Sequence, residues 1–127
     1  MLGRVDDRPI YHLALPDDWT TAFETGEYRT STRGMSLDDV GFIHASFGDQ
    51  LEATANRFYA DLEQLVRLTI DPLKVPAEIR EEPPAPGSPE RFPHIYGPLP
   101  LAAVVVAHLW FRGPDGWRLD DLGSPAG

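Results

Sequence analysis

The sequence predicts an α+β protein: a split, mostly antiparallel β-sheet with two short helices. Both helix-like segments fall in the first half of the chain, strand-like runs dominate the second half, and no regular βαβ alternation builds a parallel sheet. At 127 residues the chain has the length of one domain with its own core. We read residues 1–127 as a single domain without internal repeats, with flexible ends at 1–8 and 123–127.

Residues 9–15, Pro-Ile-Tyr-His-Leu-Ala-Leu, form a short β-prone run and predict the first strand. Pro16-Asp17-Asp18 then opens a helix, proline fitting its first turn and the aspartates its positive end. Trp19, Ala22 and Phe23 supply a buried face, and Gly26 stops the helix. Residues 27–40 are polar and irregular, so they read as a loop with one short turn. Gly41-Phe42-Ile43-His44-Ala45-Ser46 predicts the second strand. Leu51, Ala55, Phe58, Tyr59 and Leu62 then mark the apolar stripe of a helix over roughly 49–61.

Residues 64–71 predict a buried strand closed by Asp71-Pro72, and 77–82 another short one. The proline-rich stretch 83–91 reads as a loop leading back to the sheet, because its flanks are too small to be separate domains. Pro93 holds Phe92 extended, so His94-Ile95-Tyr96 continues as a strand up to Gly97-Pro98. Residues 102–111 predict a buried strand, and Gly113-Pro114-Asp115-Gly116 a hairpin turn returning through Trp117-Arg118-Leu119.

With 11 Lys+Arg against 20 Asp+Glu, the net charge is −9. Such a field opposes nucleic acid and anionic membranes, and the arginines form no basic run. Absence of cysteine excludes disulfides, thiol catalysis and cysteine-based zinc sites. The longest apolar run, Leu99 to Trp110, is broken by Pro100 and His108 and is shorter than the roughly 18–20 residues of a membrane span. The acidic N-terminus resembles no export signal, so a cytoplasmic location is expected.

His12, His44 and His94, three of the four histidines, each sit in a short β-prone apolar run beside a hydroxyl-bearing residue. Three strands can deliver three imidazoles to one cleft, where each can donate, accept or exchange a proton near neutrality. The alternative for each is a hydrogen-bonded histidine on a sheet. A three-histidine metal site is a further alternative, but no helical His pair or H-E-x-x-H spacing supports it. Ser46 shares a strand face with His44, and Tyr96 shares one with His94. Tyr11 points away from His12 and reads as core. Glu81 and Glu82 are candidate carboxylates for a general base or a ribose contact; Asn56 or Arg57 could meet a phosphate, although a solvated helix face is the preferred reading, and His108 reads as structural or exposed on the opposite face.

Ile10-Tyr11-His12-Leu13, Gly41 to Ser46, Gln50, Ala55 to Tyr59, Glu82 and Phe92-Pro93-His94-Ile95-Tyr96-Gly97-Pro98-Leu99 resemble a small bacterial family, domain of unknown function 952. The likeness runs over about residues 9–106. It implies a fold similar to the ADP-ribosyltransferases, which bind NAD in the cleft of a split sheet. On that implication His12 holds a ribose, and His44 with Ser46 lies near the nicotinamide. His94, Tyr96 or Glu82 would complete the site. The expectation is a histidine-lined cleft for a small-molecule ligand, NAD or another nucleotide, with a non-catalytic metabolite binder as the alternative.

Overall fold

The computed structural model describes residues 8–119. The expected flexible ends therefore lie, apart from Arg8, outside the described residues. The first strand, β1 (Ile10–Ala14), is followed by helix α1 (Pro16–Thr25). Gly26 ends α1 in the left-handed region at φ 93°, its N–H donating to the Ala22 carbonyl. Then come β2 (Glu27–Tyr28), β3 (Thr30–Thr32), β4 (Met35–Ser36), helix α2 (Leu37–Val40), β5 (Ile43–His44) and helix α3 (Gly48–Phe58). The second half holds β6 (Gln64–Ile70), β7 (Ile79–Glu82), β8 (Phe92–Ile95), β9 (Leu99–Pro100) and β10 (Val104–Phe111).

Two three-stranded sheets carry the fold, ordered β1-β6-β10 and β5-β8-β7, and every pairing in them is antiparallel. They meet at Tyr11 and Ser46, which exchange both backbone hydrogen bonds at 2.8 Å. This junction sets the end of β1 beside the end of β5. Alternation then sorts the side chains of β1. Ile10 and Ala14 join Val66, Leu68 and Ile70 of β6 in a core closed by Ala22, Tyr28, Ile43, Ile95 and Leu99. Tyr11 and Leu13 face the other way, with Leu65 and Trp110, onto Leu51, Ala55 and Tyr59 of α3.

The described residues form three α-helices, not two, and residues 27–40 are not a loop. Very short strands give no measurable period, which hid β2, β3 and β4. The sign that was readable is Ser36 with Asp39: the serine hydroxyl accepts from the Asp39 N–H at 3.2 Å, and the Asp39 carboxylate from the Ser36 N–H at 2.9 Å. The strand expected over 41–46 contracts to two residues. The strand expected to be buried over 102–111 is an edge among the described residues, pairing there with β6 alone, and Val105, Leu109 and Phe111 are exposed. Phe23 and Phe58 are also exposed, at the margins of their helical stripes.

Among the described residues no return strand follows the Gly113–Gly116 turn, yet Trp117 is fully buried. Asn56 fixes it: its carbonyl accepts from the Trp117 N–H at 2.8 Å, and its amide donates to the Trp117 carbonyl at 3.0 Å. Asn56 is thus a structural clamp rather than a phosphate contact. Gly116 stands at φ 101°, and a Cβ there would lie 2.6 Å from the Asn56 Oδ1. Gly116→Ala is expected to cost about 2 kcal/mol, from left-handed strain plus a disturbed clamp. A lower urea midpoint at unchanged slope would report it.

Candidate functional site

A cavity of about 550 Å³ opens where β1, β3, β5, β8, α3 and the 83–91 loop meet. His12, His44, His94 and Ser46 all line it. The register explains the convergence. His44 pairs directly with His94 across β5 and β8, and the Tyr11–Ser46 junction brings His12 alongside. Ser31, Gln50 and Thr54 add polar groups, while Phe42, Phe92, Phe58 and Tyr59 supply flat apolar surface. Glu82 and Tyr96 are not on the wall; they stand behind His94.

The three imidazoles differ in what they can do. His12 is buried with both ring nitrogens engaged: Nδ1 lies 2.5 Å from the His44 carbonyl oxygen and Nε2 2.8 Å from the Tyr28 hydroxyl. A carbonyl can only accept, so Nδ1 carries the proton and Nε2 accepts from the tyrosine. Burial pushes its pKa down to about 4, against the opposing pull of the His44 carbonyl. His12 is therefore a neutral strut. His44 is also pushed down to about 4, by burial first and then by the neighbouring His94 and His12. Its ring centre lies 5.1 Å from that of Phe92 and 5.4 Å from that of His94.

His94 has the arrangement of an acid–base group. Its Nδ1 is 2.8 Å from Glu82 Oε1, which also accepts from the Tyr96 hydroxyl at 2.5 Å. These two donors hold the Glu82 carboxyl below the usual range, the tyrosine contributing most. In the neutral ring that donates Nδ1–H to the carboxylate, Nε2 is the acceptor. That nitrogen is buried and has no hydrogen-bond partner among the described residues. The ring lies flat on Phe42, at 4.0 Å and 14°. A carboxylate that fixes the tautomer and stabilises an imidazolium is the support a general base requires.

Arg57 and Glu90 are the charged side chains on the cavity lining, both exposed at its rim. Arg57 reaches the cavity rather than only the solvated face of α3. Glu81 is exposed and off the lining, while His108 is exposed on β10, 3.2 Å from an Arg67 nitrogen. Ser31 was missed because it lies in the stretch read as a loop. Among the described residues no group of three or more His, Asp or Glu is placed to hold a metal. With both His12 nitrogens engaged, the three-histidine metal alternative has lost a ligand. No helix among the described residues is long and apolar enough to cross a membrane.

Fold and site together define a small α+β protein with a histidine-walled cavity between two antiparallel sheets. The chain belongs to the family described as Protein of unknown function (DUF952), whose profile matches residues 13–107. Among solved structures it is similar to protein CC0527 from Caulobacter crescentus. The crystal structure of that protein is 28% identical, with a TM-score of 0.72, covering 86% of this chain and 91% of the other. A crystal structure of its double mutant is 29% identical with the same TM-score and coverage, and the solution NMR structure is 28% identical at TM-score 0.65. No curated protein matches the chain.

Proposed function

We propose that the protein binds a nucleotide-type small molecule, NAD foremost, in the histidine-walled cavity, with His94 as the acid–base group. The observation that carries this reading is the convergence of His12, His44, His94 and Ser46 on one cavity. A volume of about 550 Å³ lies within the range usual for small-molecule sites. Polarity supports it too: neutral imidazoles and hydroxyls line the buried end, and Arg57 stands at the rim. A neutral ring lodges inward and the phosphates outward beside the guanidinium.

The reaction this suits is of the ADP-ribosyltransferase type. The bond from ribose C1′ to the nicotinamide nitrogen breaks, its electrons leave with nicotinamide, and an acceptor oxygen or nitrogen bonds to C1′. Once nicotinamide has left, His94 Nε2 takes the acceptor's proton, and Glu82 stabilises the resulting imidazolium.

Calorimetric titration of NAD into wild type and His94→Ala tests the binding. Wild type is expected to bind, with the variant at least about tenfold weaker. No heat from wild type at millimolar NAD removes the proposal. A second reading, binding without chemistry, is favoured by the engagement of both His12 nitrogens, which leaves that imidazole no proton-transfer role. Nicotinamide release separates the two: its absence in a protein that binds NAD leaves only the second.

A further inference from the structure

Two buried polar atoms of the cavity-lining residues have no hydrogen-bond partner among the described residues: Ser31 Oγ and His94 Nε2. They lie on different elements, β3 and β8, and the residues are 1% and 4% exposed. Buried unpaired polar atoms are rare in folded proteins, and a ligand that satisfies them relieves a cost already present. Their requirements are specific. In the neutral ring, Nδ1 donates to Glu82 and leaves His94 Nε2 as an acceptor that needs a donor. The Ser31 hydroxyl can donate to a carbonyl. Phe42 backs His94 and Phe92 stands beside His44, so the surroundings favour a flat group.

Charge is the other constraint. The charged lining side chains, Arg57 and Glu90, are at the exposed rim. Of the histidines inside, His12 and His44 are held neutral, each near pKa 4 with burial as the main cause, and any charge on His94 is already matched by the Glu82 carboxylate 2.8 Å away. A carboxylate carried inward would lose its hydration without a countercharge.

We propose that the buried end of the cavity selects an uncharged planar amide over the corresponding carboxylic acid, with Ser31 as the specifying residue. The Ser31 hydroxyl donates to the amide carbonyl, and the amide N–H donates to His94 Nε2. This rests on the nucleotide reading above and names the part of the ligand that is read. Ser31 is a specificity residue in this scheme and takes no part in bond making.

Three ligands with the same diphosphate test it: NAD, its deamidated form carrying a nicotinate carboxylate, and ADP-ribose, which lacks the ring. Wild type is expected to bind NAD at least about tenfold more tightly than either of the others. In Ser31→Ala the preference should shrink to about threefold or less, through weaker NAD binding alone. Circular dichroism and the urea midpoint check that the variant is folded. Should it fail to fold, Ser31→Cys gives the same comparison, and the wild-type ratio decides by itself. Equal affinity of wild type for all three ligands overturns the amide inference while leaving the nucleotide reading intact. An undiminished preference in the folded variant removes Ser31 from the role. No binding of any of the three at millimolar concentration removes the nucleotide reading and this inference with it.

Discussion

Acidification from pH 6.5 to pH 4 is expected to strip about 3 kcal/mol of stability through His12 alone, with His44 adding in the same direction. The folded pKa of His12, about 4, lies below the ordinary imidazole value of 6.5, so within that window the unfolded chain binds the extra proton. Stability is therefore complete above pH 6.5 and falls until the folded protein itself protonates near pH 4. The cause is burial: a second proton on His12 would place an unhydrated charge in the core, on the Nε2 that faces the Tyr28 hydroxyl. Urea midpoints measured between pH 7 and pH 4.5 read this out. NMR titration of the ring carbons assigns the loss to His12 and His44. The lowered carboxyls of Glu82, Asp39 and Asp61 act only at still lower pH, since their stabilisation persists above the ordinary carboxylate range. A midpoint that stays flat from pH 6.5 to pH 4.5 would contradict the neutral, buried His12.

Trp117→Ala is expected to cost roughly 3–5 kcal/mol, the range for deleting a fully buried large aromatic. Trp117 is 0% exposed and packs edge-on against Trp110 at 5.0 Å. Its indole N–H donates to the Tyr59 carbonyl at 2.9 Å, at the C-terminal end of α3. The substitution leaves a cavity beneath α3 and an unpaired carbonyl, and loosens the Asn56 clamp. A fall in melting temperature of roughly 10 °C or more is the corresponding thermal readout. Because Leu51, Ala55 and Tyr59 share this core with Trp117, the variant should also loosen the cavity wall that α3 provides. A shift of only a few degrees would mean that the segment after β10 is peripheral to stability.

Where a segment was long enough to show its period, the residues were sufficient. Trp19 and Ala22 with Gly26 marked α1, the Leu51–Ala55–Tyr59 spacing marked α3, and the Leu, Val and Ile content of β6 marked a central strand. Strands of two or three residues carry no such signal, which is why Ser31 went unseen. Edge or centre was equally illegible for β10: a run such as Val104-Val105-Val106 reads as core, and exposure depends on whether another strand pairs outside it.

By itself the sequence determined that three imidazoles would ride on strands rather than in loops, because each sits among β-prone apolar neighbours whose burial carries it inward. It also determined an acidic, cysteine-free chain. Only the tertiary structure decided what each histidine is. The same side chain is a neutral strut at His12, a desolvated wall at His44 and a carboxylate-held acceptor at His94. Those roles depend on partners 32, 16 and 12 residues away, which the chain order does not reveal. Local propensity sets which residues are strand and helix; hydrogen bonding and desolvation across the fold set protonation, and with it the chemistry available to the site.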